Sequence, residues 1–306
     1  MTKPGFAAYA LLMALALIWG GSFLFIKIGV ETIPPITLTA LRLIAAAVIL
    51  IIAARLAGQF LPVNKAVWSS IALAALFGNA LPFTLISWGE EVIDSGLAAI
   101  LMAGMPLFTL VCAHLVTDDE KMNRRKVIGV MCGLAGLIVL IGPDKLSQLG
   151  DDAVRQLAVA AASLCYAVHA LIIRRIKAVP AKALAAGIMI ASTVMIVPMA
   201  LVLEQPWQLE PSNSSLAAAL VLGIFQTAIA TLMMFALIQK QGATFFSQIN
   251  FLVPLIGVAY GIMFLAERPQ PSAYVALGLI LAGIYIVRTG GMGAVPANQP
   301  ASNSRE

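Results

Sequence analysis

Charge is what this chain most lacks. Asp, Glu, Lys and Arg make up 11% of its 306 residues, and apolar side chains make up 61%. Soluble domains run nearer ~25% charged and ~45–50% apolar. A water-surrounded fold of this size cannot hide so much apolar surface, and a mean hydropathy of +0.97 makes lipid the solvent for most of it. Cysteine is scarce too. Cys112, Cys132 and Cys165 fall inside apolar stretches without metal-ligand spacing, which excludes a disulfide framework and leaves them as small packing residues. No cofactor or metal is expected.

The chemistry of hydrolysis is equally thin. An intramembrane hydrolase needs a nucleophile facing a base, yet there are two histidines and no Gly-x-Ser-x-Gly element. Ser163 and His169 stand six residues apart, on opposed faces of one helix. The reading is therefore a non-enzyme.

What the chain does have is length of apolar run. A spanning helix needs about 20 mostly apolar residues, at ~1.5 Å of rise per residue through a ~30 Å core. Ten such segments occur, near 6–30, 34–57, 66–89, 95–116, 125–142, 153–174, 181–203, 215–238, 243–266 and 272–290. The first is longer than a signal-peptide core and lacks a convincing processing site, so it is read as a retained helix. Connections are short. Residues 291–306, rich in Pro, Asn, Ser and Ala, read as a disordered cytoplasmic tail.

The net charge of +5 is a matter of placement. With the N-terminus inside, 14 of the 19 basic residues fall on cytoplasmic segments, among them Arg55, Lys65, Arg124, Arg125, Lys126, Arg174, Arg175 and Lys182. Lys145, Arg155 and Arg268 fall outside, while Lys27 and Arg42 lie within spans. This bias is the positive-inside pattern. It predicts both termini in the cytoplasm and excludes nucleic acid as the reason for the charge. The expected location is a cell membrane, the inner membrane in a bacterium, with the lipid bilayer as obligate surroundings.

The segments also repeat. Pro106, Glu120 and Gly136 recur with one gap as Pro254, Glu267 and Gly283. Trp19, Phe23 and Lys27 align with Tyr166, Ala170 and Arg174, each trio at i, i+4, i+8 on one helical stripe. A unit of five spans is odd, so the second unit must enter the membrane from the opposite side. The expected fold is all-α and integral to the membrane: ten transmembrane helices as two inverted five-helix repeats, 6–142 and 153–290, around a central cavity. Secondary transporters commonly place a substrate site near the midplane of such repeats.

Ile18-Trp19-Gly20-Gly21-Ser22-Phe23 ahead of Lys27 resembles the first-helix signature of the EamA-like family of the drug/metabolite transporter superfamily. Arg42 in the second span, Pro106 to Glu120, and Pro254-Leu255 to Glu267-Arg268 are similar to the family pattern as well, and the resemblance covers residues 6 to 290. Asp118-Asp119-Glu120-Lys121 departs from it, being more acidic than the usual lone Glu. The resemblance implies a ten-helix transporter with a central cavity that moves a small-molecule substrate, often exporting amino acids or other metabolites. Efflux of toxic or xenobiotic compounds through the same fold is the alternative, and a non-transporting receptor or scaffold a distant one. Coupling to protons or to exchange is compatible with either kind of transport.

Polar groups inside spans are the substrate-binding candidates, because a Lys or Arg at span centre costs about 2.5–3.5 kcal/mol on insertion scales. Arg42 lies roughly 12 Å below the outer surface by helical rise, as a substrate anchor or a structural cation. Lys27, near the outer end of the first span, either lines a cavity or snorkels to the headgroups. Asn79 and Gln226 stand mid-span on repeat-related helices, and Asn250 in the ninth. Interhelical hydrogen bonding is their alternative role. Trp19 and Tyr166 offer aromatic walls, with Ser22 and its repeat counterpart His169 beside them. No carboxylate is expected deep in any span, since Glu90 and Glu91 end the third. That absence favours anionic, zwitterionic or neutral solutes over cations. Gly129-x-x-x-Gly133 and Gly257-x-x-x-Gly261 read as close helix contacts, and Pro106 and Pro254 as interruptions of their spans.

Overall fold

A computed structural model describes residues 5–62, 64–116, 122–141, 151–176 and 179–290. Asp118, Asp119, Glu120, Lys121 and the tail 291–306 lie outside the described residues. The segments that cross the membrane are α1 (Phe6–Val30), α2 (Pro35–Leu56), α3 (Lys65–Glu90), α4 (Ser95–Val116), α5 (Arg124–Ile141), α6 (Asp151–Arg175), α7 (Ala181–Leu203), α8 (Asn213–Gln241), α9 (Ala243–Phe246 then Ile249–Leu265) and α10 (Pro271–Gly290). Among the described residues there is no strand. Hydrocarbon offers the backbone no hydrogen-bond partner, so a helix, which satisfies its own, is the form each apolar run must take. Proline opens α2 and α10, where its missing N–H costs nothing. Asn64 and Ser212 cap α3 and α8 through side-chain oxygens.

The helices pair as an inverted repeat requires. The main partners of α1 are α8 and α9, and those of its counterpart α6 are α3 and α4. Helix α2 packs on α7 and α8, and α7 on α2 and α3; α5 packs on its own counterpart α10. Each of these main pairings maps onto another, or onto itself, when the two halves are exchanged. The departures from regular helix repeat as well. Spans α3 and α8 each contain a π-helical segment, Leu76–Ala80 and Leu222–Ile229. Spans α4 and α9 are each broken ahead of their proline, at 103–104 before Pro106 and at 247–248 before Pro254.

Glycines set the closest approaches. A Cβ on Gly283 would stand 2.5 Å from Gly129 O and 2.9 Å from Gly133 N, and one on Gly129 would stand 2.7 Å from Gly283 O. Backbones of α5 and α10 therefore touch, which the first Gly-x-x-x-Gly pair permits. The second pair serves α9: a Cβ on Gly257 would stand 2.5 Å from Ala99 Cβ of α4. Gly283→Leu is expected to force α5 from α10 and lower the thermal unfolding midpoint in detergent by several degrees, overpacking costing about 1–3 kcal/mol. Gly278→Leu on the same helix, with open space around its Cα, should leave the midpoint unchanged. Fluorescence-detected size exclusion after heating separates the two.

Candidate functional site

Buried polar side chains gather on the seam between the halves. Arg42 is 6% exposed on α2. Its Nε donates to Thr227 Oγ1 of α8 at 2.8 Å, and its guanidinium carbon lies 3.7 Å from the centroid of the Phe83 ring on α3. Thr227 sits on the π-helical segment and in turn donates to Leu222 O. That contact with Thr227 is the hydrogen bond the guanidinium makes among the described residues, which leaves its terminal nitrogens unclaimed. Tyr166 of α6 and Glu90 of α3 are its electrostatic neighbours. A cation on an aromatic face with its planar fork open suits bidentate recognition of a carboxylate.

The two π-helical segments supply amides. Gln226 is buried beside Arg42's partner Thr227, and its Oε1 has no partner. Trp19 of α1 donates to Gln226 O at 3.2 Å, joining the first half to the second. The Gln226 Nε2 lies 3.6 Å from where a Cβ of Gly21 would stand, next to buried Ser22. On the other segment Asn79 donates to Ser192 Oγ of α7 at 3.1 Å. His169 of α6 bonds Ala74 O through Nδ1 at 2.9 Å, its ring lying over Gly78. Gly78 leaves the room that His169 fills. A π-turn widens the helix and shifts one residue out of register, and such turns recur at functional sites. Here both present an amide toward the seam.

Not every sequence candidate joins this set. Lys27 donates to Glu90 O and Ile93 O at 2.7 and 2.8 Å. It thus C-caps α3, as a cation at a helix C-terminus does, in place of snorkelling outward. Asn250 lies in the first turn of the second segment of α9 and is partly exposed. Four residues that matter here carried no local sequence signal: Thr227, Phe83, Ser192 and Glu90. Glu90 does end α3, as its position along the span implies, yet it is 0% exposed and neither carboxylate oxygen has a partner.

The halves are tied at their ends by capping across the seam. Glu204, just past α7, accepts from Ile36 N and Thr37 N of α2 at 3.0 and 2.6 Å. In the inverted position Gln59, just past α2, accepts from Lys182 N of α7 at 3.0 Å. Glu267, just past α9, accepts from Ser95 N and Gly96 N of α4 at 2.8 and 2.9 Å. Each N-terminus finds in the opposite half the acceptor its first amides need. At the Glu267 end Arg155 of α6 also meets Glu91 at 2.6 Å, stacked on Trp88 at 4.1 Å. Burial pushes the Asp94 carboxyl at that end above the ordinary carboxylate range, Glu267 adding to the shift and Lys27 opposing it.

The model of the EamA-like transporter family matches residues 6–142 and again 155–289. Curated relatives align along almost the whole chain. It is 28% identical over 284 residues to the uncharacterized inner membrane transporter YedA of Escherichia coli K12, covering 92% of this chain and 90% of that one. It is 30% identical over 263 residues to the protein PagO of Salmonella typhimurium (81% and 82% covered), and 24% identical over 276 residues to the uncharacterized transporter YoaV of Bacillus subtilis (90% and 94%). A solved crystal structure superposes with a TM-score of 0.67 at 21% identity, over 94% of this chain and 99% of that one. At that identity it shows the fold.

Removing the trans cap with Glu204→Ala should lower stability by about 1–2 kcal/mol, the range for a lost helix cap with a charged acceptor. Glu204→Gln, which still accepts, should lose less. Thermal unfolding in detergent checks the order.

Proposed function

Because the chain belongs to the EamA-like transporter family, we propose that it is a secondary transporter that exports amino acids or related carboxylate-bearing metabolites by alternating access. The observation that carries this reading is Arg42: a buried guanidinium at the seam, stacked on Phe83, bonded once to Thr227 and otherwise open. Its substrate is a small molecule whose carboxylate takes the two terminal nitrogens. Gln226 and Asn79 supply amides from the two halves, Trp19 and Tyr166 the aromatic walls, and Ser22 and His169 line the approach. Lys27 adds positive field from the end of α3, and Asn250 lies along the path of α9.

The positive-inside bias assigns the Glu267 end to the outside and both termini to the cytoplasm. Among the described residues, side-chain ties between the halves concentrate at that end: Glu267, Glu204, Arg155 with Glu91, and Thr32 with Ser212. The arrangement supports a state closed outward, in which opening to the outside requires these caps to part. The repeats, 6–142 and 153–290, would then rock about the paired helices.

Purified protein in liposomes, offered the common labelled amino acids one at a time, tests the function directly. Flux of at least one is expected, and Arg42→Ala should lower it about 10- to 100-fold, the range for losing a charge-assisted hydrogen-bond pair. The variant must retain the wild-type elution profile. Equal flux by wild type and Arg42→Ala would remove Arg42 from the site.

A further inference from the structure

Glu90 has a burial that its neighbours do not explain. It is 0% exposed, and both oxygens lack a hydrogen-bond partner. An ionised carboxylate left this way is strongly disfavoured, so such a group holds a proton or waits for a cation. The charged groups around it come from every packed element. Lys27 of α1, Arg42 of α2 and Glu267 beyond α9 are its electrostatic neighbours. From α6 come Arg155, which is bonded to Glu91, and Tyr166, which stands near Arg42. Asp94 lies beyond the helix end. None of these forms an ion pair with Glu90. The ammonium of Lys27, the nearest candidate, is bonded to main-chain carbonyls.

Its place on α3 relates it to Arg42. Phe83, Ser87 and Glu90 are i, i+4 and i+7 on one buried stripe. Seven residues span about 10 Å of axis, and side chains on a helix lean toward its N-terminus, here from Glu90 toward Phe83. Arg42 lies on the Phe83 ring. Arg42 and Glu90 are also each other's electrostatic neighbours, so an open guanidinium and an unpartnered carboxyl stand within the same buried region, as the two charged ends of an amino acid require.

We propose that Glu90 and Arg42 form one zwitterion site, in which the α-ammonium of an amino acid and a proton occupy the Glu90 carboxyl alternately. This deepens the proposed function and rests on it. Arg42 takes the substrate carboxylate, and Glu90 yields its proton as the ammonium arrives. After the substrate leaves outward, a proton from outside restores the neutral acid, which can return through the closed seam. The cycle is an antiport, one proton entering for each amino acid leaving, and it selects zwitterions over plain carboxylates or plain amines.

The test uses full-length protein, wild type and Glu90→Gln, with Glu91→Gln as an exposed control. Gln copies the neutral acid in shape, so folding should be retained, and an unchanged elution profile checks it. Infrared spectra of substrate-free protein at neutral pH should show a protonated carboxyl band that Glu90→Gln loses and Glu91→Gln keeps. In liposomes, an inward proton gradient should speed export of labelled leucine or threonine by about tenfold in wild type and leave Glu90→Gln unaffected. Leucine should outcompete 4-methylpentanoate and 3-methylbutylamine in wild type, and Glu90→Gln should lose that preference over 4-methylpentanoate. A band that survives in Glu90→Gln, or a gradient response that does, overturns the inference. A wild type inert toward every amino acid overturns the proposed function instead, and the infrared band tells the two failures apart.

Discussion

In hydrocarbon each main-chain N–H and C=O must find its partner within the protein, and this constraint orders the whole molecule. It makes every apolar run a helix. It also makes helix ends a problem, since the first amides and last carbonyls of each helix have no partner of their own. Here the solution comes from across the seam. Glu204 serves the N-terminus of α2, Gln59 that of α7, and Glu267 that of α4; within the first half, Lys27 serves the last carbonyls of α3. Satisfying the backbone and holding the halves together are one act.

The consequence is that conformational change and backbone satisfaction are coupled. Parting the halves at the Glu267 end exposes amides of α2 and α4 that must then turn to water, which is available at a helix end and absent at its middle. Ties that hydrate on release are therefore placed at the ends. The mid-span contacts are of another kind: Asn79 to Ser192 and Arg42 to Thr227 are single hydrogen bonds, one on each π-helical segment or its neighbour. They link helices without caging the donors. A π-turn supports this by turning one residue out of the helix register, so that an amide or hydroxyl can point into the seam while the backbone stays paired.

The spans, the repeat and the family were legible because their signals are long. Ten apolar runs and their limits follow from hydropathy, and the structure moves no boundary by more than two residues except the C-terminal end of α8. That Arg42 would be covered by protein was legible too, since a lipid-facing guanidinium within a span is costly. Glu90 was not, because rank along a span measures depth in the membrane and says nothing about which face of the helix is covered. Its neighbour Glu91, one residue on, is exposed and bonded to Arg155. Only the packing of α3 against α1, α2 and α6 separates the two. Thr227, Ser192 and the trans caps escaped too, since a partner roughly 110 to 190 residues away leaves no local pattern.

A symmetric scaffold does not imply a symmetric site. Trp19 and Tyr166, Ser22 and His169, and Asn79 and Gln226 all stand 147 residues apart, so the amides and walls recur in both halves. At the same offset, Arg42 corresponds to Met189, Phe83 to Ala230, Glu90 to Leu237 and Thr227 to Ala80. Those four counterparts are buried and apolar. Charge was therefore kept on one side of the pseudo-symmetry axis and replaced by hydrocarbon on the other. A second buried arginine and acid would double the desolvation cost and offer two competing anchors for one substrate. On the proposed function, a single set would let the amides of both repeats contact a ligand while its charged groups have one address, displaced toward the Glu267 end. On that reading inversion supplies two-sided access, and its local violation the chemistry.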